Sequence, residues 1–464
     1  MVKNKKFYIY LFLLMPMVLY GQTGTTNQEF IFFSGANFSG IVGSGARAFG
    51  MGGTFIAIAD DATAASWNPG GLGQLEKPEL SMVLRYQNYR TLQPANIASG
   101  GFTGPQDKDG NSYNFDFISF TYPIRIGNFK IVPQVSYQRT ISFDLDTHTN
   151  DILFSTLVSP GDKIDGTFTE TDDFTGGIDM ISFSVGSKLF GFLNIGVSAN
   201  LFMNRFQGNV SRESRGDIYR AATPSLREDF QERWSRGITI DIKGVNVNVG
   251  VLVEVFKNFQ VGAVYKNPFS IDIDYSIAYL RETRISGQTT AKIDNRHSAV
   301  SSLRWPRTWG VGFALRPSDP LTLSVDFTST RWSRAILKNF KYLADNEGTD
   351  VYFPTLVAVN AGGLEKQVDS QQFRGGMEYV MITKKNLFIP LRLGIFTDTQ
   401  FYSDSSGKKV TLFGIAGGVG LKKGAFSFDA AILYEFGNYL RENTDYSYTS
   451  FADLRVYFST IFNF

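Results

Sequence analysis

The sequence contains no cysteine and only two histidines among its 464 residues. Without cysteine there is no disulfide framework, no thiolate metal site and no lipidated cysteine anchor. His148 and His297 show no metal-ligand spacing and fall in expected outer loops, where a solvated histidine is the simpler reading. Charge of one sign is also lacking. The 45 basic and 43 acidic residues leave a formal net charge of +2, so nothing argues for nucleic acid or another polyanionic partner. Only one long apolar run is present, from Phe7 to Gly21, preceded by Lys3, Lys5 and Lys6 and broken by Pro16. It is shorter than the roughly 20 residues a transmembrane helix needs, and it reads as a signal peptide over residues 1–21. If the protein crosses a membrane again, it must do so as a closed barrel, the other architecture that satisfies every backbone group in lipid.

Enzyme signatures are missing as well. No Gly-x-Ser-x-Gly elbow occurs. The glycines between Gly43 and Gly53 follow no strand and lack the Lys-Ser/Thr ending of a phosphate loop. Asp60 and Asp61 are adjacent acids better suited to starting a helix than to acid–base work. No catalytic residue, cofactor or metal is expected.

What is abundant is aromatic side chain. Phe, Tyr and Trp make up 15% of the chain, yet the mean hydropathy is only −0.09. Alternating strands reconcile the two, each lipid-facing ring being followed by a polar residue that faces a watery interior. Leu321-Thr322-Leu323-Ser324-Val325-Asp326-Phe327-Thr328 alternates strictly, and Val245 to Val255 and Phe426 to Tyr434 do so over longer stretches. As helices these runs would spread their apolar residues around the whole cylinder.

Fourteen such segments lie between residues 79 and 464. Tight turns, as at 125–127, 257–258 and 423–424, alternate with longer connections, as at 144–178, 209–236, 281–302 and 337–370. That alternation is the pattern of an outer-membrane barrel, with both termini on the periplasmic side. Leu454, Val456, Phe458, Phe462 and the final Phe464 share one face of the last segment, the form of strand that barrel-assembly machinery reads. The expected fold is all-β: a 14-stranded antiparallel transmembrane barrel over residues 79–464, monomeric and surrounded by outer-membrane lipid.

Residues 22–78 do not belong to the wall. Between Gly43 and Gly73 small residues dominate, so backbone can approach backbone closely. A short helix is expected from Asp60 to Trp67, stopping before Pro69. A barrel of this width is too wide for side chains alone to fill, and a compact segment ahead of the first strand is the natural plug.

This block, with Gly50-Met51-Gly52-Gly53, Ala59-Asp60-Asp61-Ala62 and Trp67-Asn68-Pro69-Gly70-Gly71-Leu72, resembles the N-terminal hatch of the FadL/TodX family of hydrophobic-compound transporters. Gly70 stands where the family usually has alanine. Weaker matches continue through Val261-Gly262-Ala263-Val264-Tyr265-Lys266-Asn267-Pro268 and Arg374-Gly375-Gly376-Met377-Glu378-Tyr379. The resemblance implies passive uptake of long-chain fatty acids or other hydrophobic small molecules, gated by the hatch. It also implies lateral release at a kink in the third strand, where Pro133 is the candidate. Phe49, Met51, Phe55, Ile56 and Ile58 are candidates for contact with ligand or inner wall. Arg47 is the candidate charge partner, for a ligand carboxylate or for an inward acid of the wall. Trp67, Asn68 and Pro69 are candidates for holding the hatch shut. The alternative is a FadL-like barrel serving a secretion system or a surface partner rather than small-molecule transport.

Overall fold

The computed structural model describes residues 43–93, 106–143, 145–159, 162–204, 210–220, 230–285, 288–338, 342–343, 350–351, 368–383, 386–404, 406–440 and 448–464. The expected signal peptide at 1–21, the first part of the expected hatch at 22–42 and most of the 337–370 connection lie outside the described residues.

The alternating segments form the wall in chain order. They are β1 (Glu79–Gln93), β2 (Gln106–Thr121, resumed at Ile124–Ile126), β3 (Phe129–Ser142), β4 (Gly177–Leu189), β5 (Leu193–Met203) and β6 (Phe230–Phe256). Next come β7 (Phe259–Lys266 and Phe269–Ile285), β8 (Gln288–Trp305 and Thr308–Ser318), β9 (Leu321–Thr330) and β10 (Ser370–Ile382). The wall ends with β11 (Phe388–Ser403), β12 (Lys409–Lys423), β13 (Phe426–Leu440) and β14 (Tyr448–Asn463). Each strand pairs antiparallel with the next. β14 closes the ring on β1, from Glu79↔Asn463 to Leu92↔Ser450. Closure leaves no sheet edge to be satisfied in lipid. β2, β7 and β8 are each interrupted at a proline (Pro123, Pro268, Pro306), which cannot donate to a ladder.

The lipid face follows from the period of two. On β6, Val245, Val247 and Val249 stand exposed while Asn246, Asn248 and Gly250 between them are turned into the barrel. Toward the outer end the polarity inverts at Gly244. There Lys243 and Thr239 are exposed, and Ile242 and Ile240 are buried inside. β7 and β8 invert at their proline breaks, bringing Phe269, Ile271, Leu303 and Trp305 inward. Apolar-out with polar-in marks the membrane span; apolar-in with polar-out marks wall standing in water.

The connections expected as irregular loops are drawn out into strands. Leu145–Ser159 pairs with Asp162–Thr175, and Val210–Arg220 lies between Asp162–Thr175 and the upper part of β6. His148 and His297 therefore sit on strands rather than in loops. The sequence of 162–175 has no apolar alternation to read, although its threonines suit extended backbone.

Candidate functional site

Residues 43–75 fill the lumen. Their backbone is nearly all turn: a short helix at Ala46–Gly50, another at Ala64–Trp67 and a 3-10 turn at Pro69–Gln74. The expected helix from Asp60 is shorter than its sequence implied. The Asp61 side chain accepts from the Thr63 amide at 2.9 Å and hydroxyl at 2.6 Å, which ties residues 61–63 into a turn and delays the helix to Ala64. Asn68 ends that helix in extended backbone, and its Oδ1 accepts from the Gly70 amide at 3.0 Å to cap the next turn.

The candidate residues converge here. Phe55 and Ile58 are wholly buried, as is Met51, and Ile56, Trp67 and Phe49 nearly so. Phe49 stacks on Tyr457 of β14 at 4.1 Å between centroids and meets Trp67 edge-on at 5.6 Å. The Trp67 indole donates to the Ser44 carbonyl at 2.8 Å. Asn68 reaches furthest, its amide donating to Ile56 O at 2.8 Å within the segment and to Val251 O of β6 at 3.0 Å. Pro69 opens the 3-10 turn that passes in front of β5 and β6.

Arg47 is the centre of a buried charge network. It binds Asp60 at 2.5 Å and Asp61 at 3.4 Å on its own segment, and grips Glu378 of β10 with two nitrogens at 2.9 and 3.0 Å. Glu378 also receives Arg392 of β11 at 2.6 Å, and Arg392 passes on to Asp429 of β13 at 2.6 Å. Burial works against the Arg47 charge, but Asp60 and Glu378 more than offset it and hold its pKa well above the usual value. Burial likewise raises Asp61, with Arg47 opposing. Glu378 is thus an inward acid of the wall in contact with Arg47. Where the segment leaves the barrel, Glu76 is clasped by Lys130 and Arg125, and the Lys130 hydrogen bond keeps its carboxyl below the ordinary range.

Pro133 stays in the β3 ladder opposite Val185, and its carbonyl accepts from the Tyr122 amide at 3.1 Å. The irregularity of β3 lies further on, between Arg139 and Ile141, and pairing with β2 stops at Phe117↔Gln138.

Two sets of partners escaped the sequence reading. One is acidic: Asp326 of β9 accepts both the Phe55 and Ile56 amides, at 2.8 and 2.9 Å, and Glu378 holds Arg47. The other is a row of wall glycines that touch the lumenal segment directly. A Cβ on Gly196 would lie 2.1 Å from Pro69 O, one on Gly250 2.0 Å from Asn68 Oδ1, and one on Gly262 2.2 Å from Ile56 O. On Gly394 it would meet Gly52 N at 2.1 Å, and on Gly376 Met51 O at 2.4 Å. Gly186, Gly312 and Gly418 continue the row, which takes one residue each from β4 to β8 and from β10 to β12. Its signature was available: glycine recurs at inward positions of successive strands, where polar side chains would be expected.

A second feature lies six or seven residues further along the same strands, about 20 Å toward the outer end. Phe202 stacks on Phe269 at 4.8 Å, Phe269 on Trp305 at 6.1 Å, Trp305 meets Trp332 at 5.0 Å and Trp332 meets Phe401 at 5.4 Å. These five buried rings form an aromatic band inside the outer end of the barrel.

No family model matches the sequence, and no curated protein matches it. Solved structures do. A Pseudomonas aeruginosa FadL homologue superposes with a TM-score of 0.56 at 12% identity, over 91% of this chain and 98% of that one. The Pseudomonas putida toluene transporter TodX gives 0.55 at 13% identity, over 92% and 99%. The Ralstonia pickettii toluene transporter TbuX gives 0.50 at 13% identity, over 91% and 99%. The chain therefore has the fold of the FadL and TodX channels, a closed fourteen-stranded barrel of the outer-membrane type.

Proposed function

We propose that this protein is an outer-membrane channel for passive uptake of hydrophobic small molecules, long-chain fatty acids or compounds of similar apolarity, gated by its lumenal segment. The observation that carries the reading is the aromatic band from Phe202 to Phe401. Five buried rings face the interior where outward residues of β6 to β8 (Lys243, Ser270, Asp272 and Arg304) are polar, an arrangement that takes an apolar molecule out of water before it reaches the lipid. Below the band residues 43–75 and their charge network lie across the lumen, and on this reading they keep ions out. Two of the three structures it resembles, TbuX and TodX, are toluene transporters. The reading takes residues 1–21 as the signal peptide, residues 22–78 as the hatch and Trp67-Asn68-Pro69 as its latch. Lipid surrounds the wall, and barrel-assembly machinery inserts it.

Purified protein reconstituted in liposomes tests this directly. Uptake of a fluorescent long-chain fatty acid, or of a labelled monoaromatic hydrocarbon, should exceed that of protein-free liposomes. Rates indistinguishable from protein-free liposomes for both probes would refute it.

A further inference from the structure

The lumenal segment meets the wall in two different ways. From β4 to β8 and from β10 to β12 it lies close on glycines, which bring the sheet against its backbone and its short side-chain stems, while β9 between them holds it through Asp326 and Ser324. From β13 round to β3 it is held at side-chain distance. Phe49 rests on the Tyr457 ring, Ser44 donates to Asp116 of β2, and the Ala62 carbonyl receives Ser119 of β2 and Gln134 of β3, each at 2.8 Å. Among the described residues no glycine of β13, β14, β1, β2 or β3 touches the segment as the glycine row does.

The two kinds of contact open at different cost. Backbone seated on backbone parts only if the segment or the sheet shifts as a body. A stacked ring opens by rotation about its own side-chain bonds. The wall on the side-chain side is also the more loosely paired. β2 and β3 share ladder pairs from Ile126↔Phe129 out to Phe117↔Gln138 and none beyond it among the described residues, where Asn114 and Ser142 link them through side chains.

Resting on the uptake reading above, we infer that the ligand passes the lumenal segment on the β13–β3 side, through the space that the Phe49–Tyr457 stack closes. The segment meanwhile stays seated on the glycines of β4 to β12. Phe49 and Tyr457 are thus the gate residues, and the ligand they admit is an apolar chain or ring no wider than the aromatic face it displaces. Asp116, Ser119 and Gln134 position the segment at the margin of that opening.

The test compares truncations on the two sides in the full-length protein, with a fluorescent long-chain fatty acid as probe. Tyr457→Ala and Phe49→Ala should each raise the uptake rate by at least about threefold at equal folded-barrel abundance, a barrier change well within reach of one lost ring contact. Tyr457→Phe keeps the ring and should restore the wild-type rate. Leu252→Ala truncates a wholly buried side chain on the glycine-side strand β6 and should leave the rate unchanged. Wild-type rates in both ring truncations, or an equal rise in Leu252→Ala, would overturn the inference. Because either ring can be removed separately, misfolding of one variant leaves the other decisive. Absence of uptake by the wild-type protein would sink the transport reading itself, a different result from any of these.

Discussion

The amide nitrogen of Asn68 donates to the main-chain carbonyl of Val251 at 3.0 Å, a side chain of the lumenal segment bound to the backbone of the wall. The same amide holds the Ile56 carbonyl, and its oxygen caps the Gly70 amide. One wholly buried residue therefore ties together the segment's two halves and fixes both to β6.

Removing that tie leaves three buried polar groups without their partner, at about 1–3 kcal/mol for each group that water cannot reach. Asn68→Ala should loosen the segment while the wall, held by its own ladder, still forms. Uptake should change without loss of heat-modifiable barrel on gels. Unchanged uptake at equal abundance would count against a latch at Asn68.

Glu378 is shared between Arg47 and Arg392 and is almost wholly buried. Glu378→Gln removes one counter-charge shared by buried Arg392 and half-buried Arg47. Because Asp429, Asp60 and Asp61 remain, the cost falls below the roughly 3–5 kcal/mol of an uncompensated buried charge. The unfolding midpoint in guanidinium should fall clearly, and Arg47→Met should fall less, because Glu378 then keeps Arg392. The reverse ranking would mean that Asp60 and Asp61, not Glu378, anchor Arg47.

The glycine row makes a steric prediction. Valine at Gly196 or Gly250 would place carbon about 2 Å from Pro69 O or Asn68 Oδ1, closer than real contacts allow, so the segment must lift off. Either variant should insert as a barrel yet pass ions in a planar bilayer where the wild type does not. Valine at Gly424, in the open turn between β12 and β13 with nothing within 4 Å of a Cβ, should not raise conductance. Its positive φ of 60° predicts only a stability loss.

Trp332 touches both Trp305 and Phe401 at the centre of the aromatic band. Trp332→Ala should weaken binding of a fluorescent fatty acid about threefold to tenfold, corresponding to roughly 0.5–1.5 kcal/mol for the lost ring contacts. Fluorescence titration measures it, and unaltered affinity would place the ligand elsewhere.

The wall was legible because its physics is periodic. Val245 to Val255 announces a lipid-facing strand with no knowledge of its neighbours, and the turns around it gave the strand count. The segment 43–75 was recognisable by its small residues and Asn68-Pro69-Gly70. Its partners were not, because Glu378 lies 331 positions from Arg47 and Asp326 lies 271 from Phe55. At either site an inward acid reads as an ordinary polar position of an alternating strand. The outer hairpins were missed for a related reason: the sequence of Asp162–Thr175 carries no regular apolar alternation.

Admission of apolar molecules by the barrel and exclusion of ions by its lumenal segment are measured together in one reconstitution. Liposomes carrying the wild-type protein should accumulate a fluorescent long-chain fatty acid faster than protein-free ones, with no rise in ionic conductance. Conductance typical of an open, wide barrel, or fatty-acid accumulation no faster than in protein-free liposomes, would contradict the account.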